Sequence, residues 1–145
     1  MSGPRILVLE ARFYDHIADG LLNGVKAELE KVGATMTLLT VPGIFELPAA
    51  LSFVVAAKPG HYDGFITLGC AIKGETDHYE HISSACEHAL MEFAVEHKVA
   101  LGNGVLTTRN EAQALVRSDP AQRNFGGQAA RACLRMVALK SELGL

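Results

Sequence analysis

The sequence predicts an α/β fold: a parallel sheet with helices on both faces. Three observations predict it. Short continuous apolar runs, such as Arg5-Ile6-Leu7-Val8-Leu9, suit strands buried on both faces. Each run is followed by a longer segment with apolar residues at helical spacing. This alternation occurs four times and then adds one helix, the pattern of crossover-connected parallel strands. The 145 residues fit one domain, spanning 1–145, with a core of its own.

The elements follow in order. The first run turns at Glu10 to Asp15, with Asp15 expected as the cap of the first helix. Ile17, Leu21, Val25, Leu29 and Val32 share a helix face, and Gly33 ends it. Thr35 to Thr40 reads as the second strand. Val41-Pro42-Gly43 reads as a turn with proline first and glycine supplying a positive φ. Pro48 suits the first turn of a helix running to Ala57. That helix is apolar nearly all round, so a second surface, expected to be another subunit, should cover it. Glu46 at its start can complement the helix dipole or accept hydrogen bonds from a polyol or amine ligand.

After the loop Lys58-Pro59-Gly60-His61, Phe65 to Leu68 reads as the third strand. Gly69 to His78 then reads as a glycine-bearing turn entering a helix capped by Asp77. Free N–H groups and the helix dipole there suit an anion, most often phosphate. Gly69 to Gly74 mimics the opening of a nucleotide-binding P-loop, but Glu75 stands where that motif needs lysine, which excludes an NTPase. His78 is the side chain best able to move a proton near neutral pH. Ile82, Ala85, Cys86, Ala89, Leu90 and Phe93 continue the helix. Val99 to Leu106 reads as the fourth strand and Glu111 to Arg117 as a short helix. Ser118 to Gly127 reads as a loop, and Ala130, Cys133, Leu134 and Val137 as one face of the last helix.

In such sheets ligands sit beyond the carboxyl ends of the strands. Phe13, Glu46, Gly74 to His78 and Asn103 are all expected there. Composition narrows the rest. Apolar residues make 49% and charged residues 20% of the chain, which suggests surface hidden in an oligomer. A net charge of -3 gives no reason to expect nucleic acid. No run is long enough to cross a membrane. Glu10 and Arg12, straight after the first apolar run, argue against a signal peptide. Cys70, Cys86 and Cys133 lack metal spacing and read as free thiols in a reducing cytoplasm. His78 and His81 are three apart, but no third ligand accompanies them, so no metal is expected.

Several segments together carry a resemblance. They are Ala11-Arg12-Phe13, Val41 to Pro48, Lys73 to Tyr79, Gly104 to Thr107 with Gln113-Ala114, and Gly126-Gly127 with Ala129-Ala130. In this order and register the chain resembles the lumazine synthase family. The resemblance implies a three-layer, flavodoxin-like fold with a four-stranded parallel sheet flanked by helices. It implies a transferase of riboflavin biosynthesis that needs no cofactor. Such enzymes condense 5-amino-6-(D-ribitylamino)uracil with 3,4-dihydroxy-2-butanone 4-phosphate to 6,7-dimethyl-8-ribityllumazine. By resemblance Phe13 stacks on the pyrimidine, and Ile44, Phe45 and Glu46 hold the ribityl chain and uracil. Cys70, Ala71 and Ile72 line the pocket through their backbone. Gly74, Glu75 and Thr76 cradle the phosphate with Arg117 as its cation, and His78 transfers protons.

The departures are specific. The family usually has lysine before the last helix and glutamate three residues later, where this chain has Phe125 and Gln128. It often has an aromatic residue, reaching into the neighbour's site, at the place of Asn103, and usually a smaller residue than Ile44. Family members are pentamers, pentamer pairs or sixty-subunit shells with sites between subunits. Ser118 to Gly127 lacks the shell-forming turn, so a cytoplasmic homopentamer is expected. Two other readings stay open in the sequence. One is a flavin- or lumazine-binding paralogue without turnover. The other is an enzyme with Cys70 as nucleophile and His78 as its base.

Overall fold

The computed structural model describes residues 3–74 and 78–145. In chain order the elements are β1 (Arg5–Ala11), α1 (Asp15–Lys31), β2 (Thr35–Val41), a single 3-10 turn (Ile44–Glu46), α2 (Leu47–Ala57), β3 (Gly64–Ile72), α3 (His78–His97), β4 (Leu101–Thr108), α4 (Glu111–Ser118) and α5 (Phe125–Glu142). The four strands form one parallel sheet in the order β2-β1-β3-β4. The expected three-layer α/β architecture is therefore present.

Strand alternation divides the core in two. Ile6, Val8, Ile66 and Leu68 point to one face, where Ile17, Leu21, Val25 and Leu29 of α1 meet Ala129, Ala130 and Cys133 of α5. Leu7, Leu9 and Phe65 point to the other, against Leu47 and Leu51 of α2 and Cys86 and Leu90 of α3. The central strands β1 and β3 are buried on both sides, which is why they read as unbroken apolar runs.

Several details differ from the sequence expectation; β4, for one, runs from Leu101 to Thr108 instead of Val99 to Leu106. β3 continues through Gly69, Cys70, Ala71 and Ile72, because β4 pairs with it as far as Ile72 opposite Thr108. Gly69 is a packing glycine: a β-carbon there would sit 2.7 Å from Ile44 Cγ2. Gly43 has an extended backbone, φ -145°, and caps the 3-10 turn instead of adopting a positive φ. Asp15 is the first residue of α1, and the cap is Tyr14, without a side-chain hydrogen bond. α5 begins at Phe125, so Gly126 and Gly127 are helical. Asn124, at φ 50°, accepts the Gly127 N–H at 3.1 Å and starts the helix. Gly126 is needed because a β-carbon there would collide with the Leu21 carbonyl of α1. The expected cap Asp77 lies outside the described residues.

α2 is covered on one side only. Of its residues, Leu47 and Leu51 are buried, whereas Phe53 is 70% exposed.

Candidate active site

A cavity of about 650 Å³ opens at the carboxyl end of the sheet. Four segments build its wall: Phe13 and Tyr14 after β1, Pro42 to Glu46 after β2, Cys70 to Ile72 with Gly74 at the end of β3, and His78, Tyr79 and Ile82 in the first turns of α3. Ile44 belongs to the α2/α3 half of the core, while Cys70 belongs to the α1/α5 half. The cavity thus straddles the sheet's end, as expected for a doubly covered parallel sheet.

Phe13 and Phe45 stand at the cavity with 74% and 65% of their surface exposed. Large exposed rings are uncommon without a partner surface, and these two suit a flat aromatic ligand. Glu46 is half-buried, and its Oε1 accepts the Gly43 N–H at 3.0 Å. That bond shapes the 3-10 turn and holds the carboxylate at the cavity. A carboxylate has acceptor capacity for more than one donor, so hydroxyl or amide groups of a ligand can share it. His78 opens α3 at the cavity wall.

Cys70 also lines the cavity, but it is a core residue. Burial pushes its thiol up to about 11, against the opposing effect of a hydrogen bond with Thr108. A neutral thiol at physiological pH is a poor nucleophile, which argues against the cysteine-enzyme reading. No cluster of three or more His, Cys, Asp or Glu that could hold a metal occurs among the described residues.

The structure brings Phe13, Ile44, Phe45, Glu46, Cys70, Ala71, Ile72, Gly74 and His78 to one cavity. Glu75 and Thr76 lie outside the described residues. Arg117 and Asn103 do not line this cavity. Arg117 sits in the last turn of α4, where its Nη1 donates to the Gln113 carbonyl at 3.2 Å. Asn103 corrects the expectation that it lies beyond a strand end. It is paired opposite Thr67 within β4 and lines a second cavity between α3 and α5. Its Oδ1 accepts the Thr67 hydroxyl and the Val105 N–H, each at 3.1 Å. Tyr14, Tyr79 and Ile82 line the first cavity although no role had been given to them. Tyr14 and Tyr79 directly follow the assigned Phe13 and His78, which was the available signal.

Both departures near the last helix contact Arg123. Its guanidinium lies 5.5 Å from the centroid of the Phe125 ring, and Gln128 Nε2 donates to its carbonyl at 2.8 Å.

The sequence model of the 6,7-dimethyl-8-ribityllumazine synthase family matches residues 3–141. The chain belongs to this family. A 6,7-dimethyl-8-ribityllumazine synthase of Paramagnetospirillum magneticum is 62% identical over 146 residues, covering 97% of each chain. The enzyme of that name from Agrobacterium fabrum is 47% identical over 147 residues, covering 99% of each. A 6,7-dimethyl-8-ribityllumazine synthase 1 of Rhodopseudomonas palustris is 47% identical over 148 residues, covering 99% of this chain and 90% of its own. As a member of the lumazine synthase family, the chain is an enzyme of the transferase class, and its cavity at the strand ends is the candidate active site.

Proposed function

We propose that the chain condenses 5-amino-6-(D-ribitylamino)uracil with 3,4-dihydroxy-2-butanone 4-phosphate to 6,7-dimethyl-8-ribityllumazine, the penultimate step of riboflavin biosynthesis. The observation that carries this reading is one cavity holding two exposed rings, a carboxylate and a histidine, in a chain matched over residues 3–141 by the synthase family. The amine and ketone first form an imine and release one water. Inorganic phosphate then leaves, and attack of the ribityl-bearing nitrogen closes the ring with loss of a second water. Each stage moves a proton, which is the task of His78. Phe13 stacks on the pyrimidine, and Ile44, Phe45 and Glu46 hold the uracil and ribityl groups. The backbone of Cys70, Ala71 and Ile72 forms the floor. Gly74, Glu75, Thr76 and Arg117 take the phosphate. Both reactants are intrinsically reactive, so much of the acceleration comes from alignment.

Arg117 and Asn103 lie away from this cavity, which supports a site completed by a neighbouring copy. The exposed outer face of α2 supports the same reading. A homopentamer in the cytoplasm is the proposed assembly; no helix among the described residues is long and apolar enough to cross a membrane.

The deciding experiment mixes purified protein with both substrates and follows lumazine fluorescence above the spontaneous reaction. Catalysed product is expected. Only the spontaneous rate, with tight binding of the ribityl compound, would overturn catalysis in favour of a binding protein.

A further inference from the structure

Phe13 has little to hold it. The residue is 74% exposed, and its ring makes an edge-on approach to Tyr14 at 5.0 Å. Its direction must therefore be set by the backbone on either side. The preceding residue, Arg12, is tied in an unusual way. Its Nε donates to Glu10 Oε2 at 2.8 Å, its Nη2 contacts Asp19 Oδ1 at 2.7 Å, and its Nη1 donates to Asp15 Oδ1 at 3.2 Å. Its backbone N–H donates to the Val41 carbonyl at 3.3 Å. Glu10 is only 2% exposed, and the same Oε2 also accepts the Thr40 hydroxyl at 2.8 Å. Glu10 Oε1 is buried with no hydrogen-bond donor among the described residues.

A buried carboxylate with one unsatisfied oxygen is expensive, and a purely structural position would be served as well by an apolar residue. What the arrangement achieves is a fixed junction. One guanidinium joins the end of β1 to the first turns of α1, and Glu10 joins it to the end of β2. The two segments leaving that junction are Phe13-Tyr14 and Pro42 to Glu46, which are two of the four cavity walls. Only a planar fork with several fixed donors can bind three carboxylates in three directions.

We propose that Arg12, locked by Glu10, is a positioning residue that fixes the Phe13 ring for stacking on the planar heteroaromatic substrate. This rests on the stacking role proposed for Phe13. Arg12 acts through Phe13 and does not touch substrate. The mild test is Arg12→Lys, which keeps a charge beside buried Glu10 but cannot span all three carboxylates. The KM for the pyrimidine should rise about tenfold, with the KM for the phosphate substrate nearly unchanged. A double-mutant cycle provides the control. In a Phe13→Ala background, Arg12→Lys should change the pyrimidine KM less than about twofold. Hydrogen exchange on the unliganded protein gives an independent readout: the amides of residues 12 and 18, which donate to the Val41 and Tyr14 carbonyls, should exchange faster in Arg12→Lys, with the remaining sheet amides unchanged. Unchanged exchange at residues 12 and 18, or equal KM effects with and without the Phe13 ring, would overturn the clamp. An unchanged pyrimidine KM in Phe13→Ala alone would overturn the stacking role, and the proposal with it.

Discussion

At the scale of single residues, His78 and Cys70 share a cavity and differ in what their surroundings permit. His78 stands at the head of a helix on the cavity wall. His78→Ala should lower kcat by about tenfold to a hundredfold while changing substrate KM values far less. Steady-state kinetics with each substrate varied in turn would check this. Cys70 holds its proton because burial disfavours the thiolate. Cys70→Ala should leave activity within about twofold of the parent, because a thiol pushed to about 11 is a spectator in proton transfer and nucleophilic attack. Complete loss of activity would show otherwise.

At the scale of elements, α1 and α5 are joined by core packing, by close backbone approach and by an ion pair between Arg131 and Glu28. Arg131 of α5 and Lys31 of α1 both donate to Glu28 of α1. Burial alone would favour protonated Glu28. The hydrogen bonds from Arg131 and Lys31 outweigh it and hold the carboxyl below its ordinary value. The folded-state value is thus lower than the unfolded one. Its stabilising contribution is present in full above the unfolded value, and is lost as pH falls through the folded one. Glu28→Gln should therefore flatten the acid side of a Tm-against-pH curve and leave its shape near neutrality intact. Gly126→Ala is expected to destabilise by about 1–3 kcal/mol, because the added methyl meets the Leu21 carbonyl and the two helices must separate. Chemical denaturation would measure it.

These helices also show what was legible. The periodicity of Ile17, Leu21, Val25 and Leu29 revealed α1 because its core face is continuous in sequence. Gly126 and Gly127 resemble loop in the sequence because a glycine pair looks the same whether it breaks a helix or lets two helices touch. Gly69 is ambiguous for the same reason, since its use depends on Ile44 lying opposite in space, whereas Gly43 after proline resembles a turn glycine and instead caps the 3-10 turn with an extended backbone. Phe13, Glu46, Gly74 and His78 were legible as residues gathered at the carboxyl end of the sheet because each lies in a segment that leaves a strand run, and all four line the cavity. Asn103 was expected beyond a strand end although the fourth apolar run, Val99 to Leu106, already contained it; pairing opposite Thr67 holds it within β4.

At the scale of the whole molecule, the proposed sharing of each site between copies can be tested without a structure of the assembly. His78→Ala and Arg117→Ala proteins, each impaired alone, would be unfolded together and reassembled. If one copy supplies His78 and its neighbour Arg117, about a quarter of the sites in a mixed ring combine two intact residues, and activity should return accordingly. If both residues served the same copy's site, mixing would restore nothing. The exposed face of α2 gives a second check. Phe53→Glu places a charge on that face and should shift sedimentation toward smaller species.

The strand order carries a consequence for synthesis. β1, the first strand to leave the ribosome, pairs with both β2 and β3, and β4 adds outside β3. Each new strand therefore joins at an open flank, and none has to be threaded between two that already pair. The nascent chain can extend its sheet outward in the order in which it is made. All four walls of the cavity have emerged by Ile82, before β4 and the two last helices exist.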